Sequence, residues 1–126
     1  MAHILVIDDD AQIRTLVEKF LVLDGHEVDT AKDGMVGLQL AGRHQYDLVI
    51  TDVIMPEQDG LGVVMELKRL FPLVKIIVMT GGGARFSISD LLTVAKVMKV
   101  DRGIPKPLDF EKLRAVVMEV LVSVKS

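Results

Sequence analysis

The 126-residue chain is 50% apolar and 26% charged, with a formal net charge of -3 and no cysteine. That length suits one domain with a real core. The mild, dispersed acidity argues against a sequence-independent grip on phosphate backbones, and the lack of cysteine excludes a disulfide framework and a thiolate metal site. Met1 is followed at once by a strand pattern, so no signal peptide is expected. No apolar run approaches the length of a membrane span, and the positive mean hydropathy fits a sheet buried on both faces.

The apolar stretch His3 to Ile7 predicts a strand ending in Asp8-Asp9-Asp10. A helix follows, with Ile13, Leu16, Val17, Phe20 and Leu21 on one face, capped by Asp10 and stopped at Asp24-Gly25. Glu27 to Ala31 reads as a short strand, and Asp33-Gly34 opens a second helix carrying Met35, Val36, Leu38 and Leu40. Leu48 to Asp52 is a buried strand that must stop near Ile54, because Pro56 cannot continue a central ladder. Gly60 starts a third helix with Leu61, Val64, Met65, Leu67 and Leu70, and Pro72 stops it.

Lys75 to Thr80 is a fourth strand, followed by Gly81-Gly82-Gly83. Ser87 and Asp90 fit a capping box for a helix carrying Ile88, Leu91, Leu92, Ala95 and Met98. A short strand from about Arg102 to Ile104, the turn Pro105-Lys106-Pro107, and a last helix capped by Asp109 complete the chain. That helix carries Phe110, Leu113, Val116, Val117, Val120 and Leu121. Strands alternate with helices throughout, which argues for an α/β, single-domain, flavodoxin-like (βα)5 fold. Its five-stranded parallel sheet is expected in the order 2-1-3-4-5, with helices on both faces.

In such a sheet the strand ends project over one edge. Asp8 and Asp9 come from the first strand, Asp52 from the third, Thr80 from the fourth and Lys106 from just past the fifth. Three crowded carboxylates need a counter-charge. A hard divalent cation supplies it, and Mg²⁺ suits a site of few carboxylates. A threonine hydroxyl and a lysine ammonium beside it make a cradle for a phosphoryl group, which a carboxylate can accept. Simpler readings exist for each residue: Asp10 is a helix cap, Thr80 a good strand former, Lys106 a surface lysine. The glycine run lacks the ending of a phosphate-binding P-loop. His3, His26 and His44 show no ligand spacing, and the seven methionines read as core filler.

With these residues in place the sequence resembles the receiver domain of two-component response regulators, the CheY-like superfamily. The match rests on Asp8-Asp9 after Ile4-Leu5-Val6-Ile7, on Asp52 with Met55-Pro56 and Asp59-Gly60 behind it, on Thr80 after Val78-Met79, and on Lys106-Pro107. It covers essentially residues 1–126. The resemblance implies that Asp52 is the phosphoacceptor. Asp9 binds Mg²⁺ directly, Asp8 largely through water, and the Ile54 main-chain carbonyl adds a further ligand. Thr80 and Lys106 contact the phosphoryl group, and the Lys106-Pro107 bond is cis. Three positions depart from the family's pattern. Gly103 stands where a switch aromatic is common, and neither Ile54 nor Gly82 has a side chain able to orient a hydrolytic water. Lys99 and Val100 occupy the place where a helix-ending glycine would be comfortable.

The expectation is therefore a phosphorylation switch in the cytoplasm. It takes a phosphoryl group from a histidine kinase or phosphotransfer protein and acts on a downstream protein target, without nucleic-acid or membrane contact by this domain and without turnover of a separate substrate. The oligomeric state, monomer or homodimer, is not fixed by these residues. Two competitors remain. One is a receiver fragment of a larger regulator or hybrid kinase. The other is a haloacid dehalogenase-type Mg²⁺-dependent aspartyl-phosphate phosphatase reading Asp8-Asp9-Asp10 as Asp-x-Asp; Gln12 in place of the usual threonine, and Asp101 where a second acidic pair would be needed, count against it.

Overall fold

A computed structural model of the chain describes residues 1–55, 58–80, 96 and 99–123. The elements run β1 (His3–Ile7), α1 (Ala11–Leu23), β2 (Glu27–Ala31), α2 (Gly34–Arg43), β3 (Leu48–Asp52), β4 (Ile54–Met55), β5 (Gln58–Asp59), α3 (Gly60–Leu70), β6 (Lys75–Thr80), β7 (Arg102–Pro105) and α4 (Phe110–Val122). Five strands form one sheet in the order β2-β1-β3-β6-β7, and every pairing in it is parallel. This is the expected doubly wound order. The two-residue strands β4 and β5 add a small antiparallel pair beyond it. The helix expected over residues 88–98 lies outside the described residues except for Lys96, as do Gly81-Gly82-Gly83 and Pro56.

The central strands alternate their side chains between two cores. Leu5, Ile7, Val49, Ile76 and Val78 face α2 and α3, meeting Ala41, Val63, Val64 and Leu67. Ile4, Val6, Leu48, Ile50, Ile77 and Met79 face α1 and α4, meeting Val17, Leu21, Leu113, Val116, Val117 and Val120. Burial on both faces explains why β1, β3 and β6 read as continuous apolar runs. The N-caps act as expected: Asp10 accepts from the Gln12 and Ile13 amides, Asp33 from Val36 and Asp109 from Lys112. Lys99 has a φ of 56°, the left-handed turn conformation for which a glycine is better suited. The Lys68 ammonium holds its carbonyl at 2.7 Å.

Several apolar helix positions face solvent instead of the core. Leu16, Met35, Met65 and Leu70 are exposed. On α2 the face turned to the sheet is built from small residues, Gly34, Gly37 and Ala41. This face lets the helix approach β1 so closely that a Cβ on Gly37 would sit 2.4 Å from Ile7 Cδ1 and 2.8 Å from its Cγ1. Of the larger residues to which the apolar periodicity pointed, Val36, Leu38 and Leu40 are partly buried against the same core, while Met35 is exposed.

Away from the carboxyl edge, Asp29 of β2 ties β1 to the segment before β3. Tyr46 donates its hydroxyl to Asp29 Oδ2 at 2.7 Å, and His3 Nε2 lies 2.9 Å from the same oxygen. Burial disfavours the Asp29 charge, but the hydrogen bonds from Tyr46 and His3 outweigh it and hold the carboxyl below its ordinary range. Burial and the bond to Asp29 push the Tyr46 hydroxyl well above the usual tyrosine range.

Two outcomes follow from this packing. Gly37→Ala should destabilise by about 1–3 kcal/mol through overpacking, measured by denaturant unfolding, and Ile7→Val in that background should recover part of the loss by removing the nearer methyl. Tyr46 is the only tyrosine and the chain has no tryptophan, so an alkaline titration of the phenolate absorbance reads this one group. In the folded protein its midpoint should lie well above the ordinary value of about 10, and Asp29→Asn should bring it down.

Candidate functional site

β1, β3 and β6 end side by side, and their registers fix what meets at the edge. Ile7 pairs with Thr51, and Asp52 pairs with Met79. Asp8 therefore stands one residue beyond β1, Asp52 on the last residue of β3, and Thr80 on the last residue of β6. Thr80 pairs with Pro105, and its carbonyl accepts from the Lys106 amide at 2.8 Å. That bond starts the turn carrying Lys106, whose peptide bond to Pro107 is cis.

Asp8, Asp52 and Thr80 are almost wholly buried, while Asp9 is exposed. One carboxylate oxygen from each of Asp8, Asp9 and Asp52 lies within 4.8 Å of the others. The Lys106 ammonium donates to Asp8 Oδ2 at 2.6 Å and to Asp52 Oδ2 at 2.8 Å. Burial pushes the Asp8 carboxyl above its ordinary range, against the pull of Lys106 and the Asp10 amide. Burial also works against the Lys106 charge, but the hydrogen bonds to Asp52 and Asp8 prevail and hold its pKa above the usual lysine range. The three oxygens are hard, anionic and convergent, a donor set that fits Mg²⁺ rather than a softer metal.

Four of the expected site residues, Asp8, Asp9, Asp52 and Lys106, thus come together directly. Thr80 sits on the adjoining strand end, and Ile54 begins β4 two residues past Asp52. Asp10 does not join them, because its carboxylate caps α1. Asp101 is remote from this edge: its carboxylate accepts from the Ile76 amide at 2.8 Å, near the opposite end of β6. Neither acid is placed as the phosphatase reading needs. Gly82 lies outside the described residues, and Gly103 pairs with Val78 inside β7.

Two contributors were not apparent from residue types. The buried Thr51 hydroxyl donates to the Asp52 carbonyl at 3.1 Å. Arg14 Nη1 donates to the Asp8 carbonyl at 2.7 Å. A signal for Arg14 did exist, since a cation near a helix N-terminus opposes the helix dipole and asks for a local reason.

This fold and edge define a doubly wound α/β domain with convergent carboxylates at the carboxyl ends of its strands. The family profile described as the response regulator receiver domain matches residues 4–118, and the chain belongs to that family. It is 37% identical over 126 residues to the DNA-binding transcriptional regulator NtrC of Azospirillum brasilense, covering 97% of this chain and 24% of that protein. It is 36% identical over 117 residues to response regulator MprA of Mycobacterium sp. (strain KMS), covering 90% and 47%. The chain thus spans a quarter to a half of the length of these relatives. A response regulator receiver domain protein from Clostridium thermocellum superposes with a TM-score of 0.83 at 29% identity, covering 96% of this chain and 94% of that one. The chemotaxis protein CheY4 of Vibrio cholerae does so with 0.84 at 28% identity, covering 95% and 98%.

The ammonium carries a stability prediction. Lys106→Met leaves the buried Asp8 and Asp52 carboxylates without their shared partner, which should cost about 3 kcal/mol at neutral pH, measured by denaturant unfolding with a chelator present. The sign of the pH response follows from Asp8. Its folded pKa is raised, so its favourable contribution is complete below the unfolded value of about 3.9 and is lost as pH rises through the folded value. Without Lys106 that folded value rises further. The variant should therefore regain stability relative to the parent as the pH falls from neutral toward about 5.

Proposed function

We propose that the chain, read as one receiver domain over residues 1–126, is a phosphorylation switch in which Asp52 accepts a phosphoryl group from a histidine kinase or phosphotransfer protein. The observation that carries this reading is the Lys106 ammonium bridging Asp8 and Asp52, with the Asp9 carboxylate alongside. An Asp52 oxygen attacks phosphorus, the donor's P–N bond breaks, and the departing imidazole keeps its electron pair and takes up a proton. Such transfers need little covalent assistance and much charge neutralisation.

Each residue has a part in that neutralisation. Lys106 already contacts the accepting carboxylate and is placed to follow a phosphoryl oxygen. Thr80, one strand away, offers a hydroxyl to a second oxygen. Asp8, Asp9, Asp52 and the Ile54 main-chain carbonyl would hold Mg²⁺, which would offset charge on the phosphoryl oxygens. No separate substrate is turned over. Output passes to a downstream protein target in the cytoplasm, or, in a chain as long as the relatives, to a domain following α4.

Acetyl phosphate with Mg²⁺ tests the assignment. Intact mass should rise by one phosphoryl group, the site should map to Asp52, and Asp52→Asn should abolish it. Modification mapped to Asp8, Asp9 or a histidine would overturn the reading.

A further inference from the structure

The two neighbouring aspartates at the end of β1 are held very differently. Asp8 is fixed on every side. Its amide donates to the Ala31 carbonyl at 3.1 Å. Its two carboxylate oxygens take the Asp10 amide and the Lys106 ammonium. Its carbonyl takes Arg14 Nη1 at 2.7 Å. Asp9 is exposed, and its carboxylate makes no hydrogen bond or ion pair among the described residues. No side-chain contact among the described residues holds that carboxylate, so the backbone on either side of it sets the position and direction from which it reaches the site.

On the far side, the Asp10 cap fixes the chain through its bonds to Gln12 and Ile13. On the near side, the only described side chain that grips the Asp8–Asp9 peptide is Arg14. Loss of this donor leaves a half-buried carbonyl unsatisfied and the peptide plane able to turn, carrying the Asp9 side chain with it. Arg14 occupies a place where the helix dipole disfavours a cation, so the contact to Asp8 supplies the local reason for a base there.

We propose that Arg14 is a positioning residue for the cation site, aiming the Asp9 carboxylate by holding the Asp8 carbonyl. This rests on the reading of Asp8, Asp9 and Asp52 as a Mg²⁺ site. A simple charge effect has the opposite sign. Removing a nearby positive charge by itself strengthens binding of a dication, whereas loss of aim weakens it.

Calorimetric titration of Mg²⁺ into the full chain distinguishes these. Arg14→Gln is expected to weaken binding by about tenfold, the low end for residues that orient metal ligands. Arg14→Lys, which keeps a donor and the charge without the planar fork, is expected to fall between. The decisive comparison is the cycle with Asp9→Asn: in that background Arg14→Gln should cause no further loss, because there is no carboxylate left to aim. Melting in chelator checks that the variants fold, and if the glutamine variant does not, the lysine variant enters the same cycle. Unchanged or tighter Mg²⁺ binding in Arg14→Gln, or losses that simply add in the double variant, overturns the proposal. Wild-type protein that binds no Mg²⁺ overturns the cation site itself and this proposal with it, and that result is recognisable from the parent alone.

Discussion

The arrangement depends on one ammonium group placed between two buried carboxylates. Lys106 is the counter-charge that makes it tolerable to bury Asp8 and Asp52 at the end of an apolar sheet. A buried ion pair of this kind is weak evidence for stability, since desolvating the partners consumes most of what their attraction returns. Replacing such a buried pair by apolar residues of similar volume is often neutral or stabilising. The stability of the fold rests on the two cores on either side of the sheet and not on these charges.

That division of labour also explains what could be read in the sequence. Asp8 and Asp52 were legible because each ends a run of residues buried on both faces, and a parallel sheet sends every such end to the same edge. Thr80 and Lys106 were legible for the same reason, one strand further on in each case. The caps Asp10, Asp33 and Asp109 followed from local chemistry that does not depend on the rest of the fold. Lys99 stood out as a residue where glycine fits better, and it adopts the positive φ that glycine would take.

What could not be read has a common cause. Leu16, Met35, Met65 and Leu70 satisfy helical periodicity but face water, because the choice between two plausible apolar faces is made by distance to the sheet and not by hydropathy. On α2 the decision fell to Gly37 against Ile7, a contact between two elements that no local pattern encodes. Arg14 and Thr51 escaped notice similarly: each donates to a main-chain carbonyl, whose position has no signature in the sequence, and for Arg14 the only hint was a cation near a helix N-terminus. The β4–β5 pair was missed because two-residue strands are shorter than any period that could announce them.

The sheet also relates the acidic edge to the far end of the molecule. β6 ends at Thr80 beside the carboxylates and begins at Lys75, whose ammonium hydrogen-bonds the carbonyls of Leu121 and Ser123 where α4 stops. A helix C-terminus leaves carbonyls without intrahelical partners, and a cation there is doubly suited, as donor and as complement to the helix dipole. A single strand, buried along its length and paired on both sides, thus has a site residue at one end and the last helix's terminus at the other. Extended backbone between two parallel neighbours has little freedom to stretch or bend without breaking ladder hydrogen bonds. Movement at the Thr80 end is therefore more easily absorbed by side-chain rotation than by displacement of β6. The sheet beneath the acidic edge is thus its rigid part, held by ladder hydrogen bonds on both sides of β6.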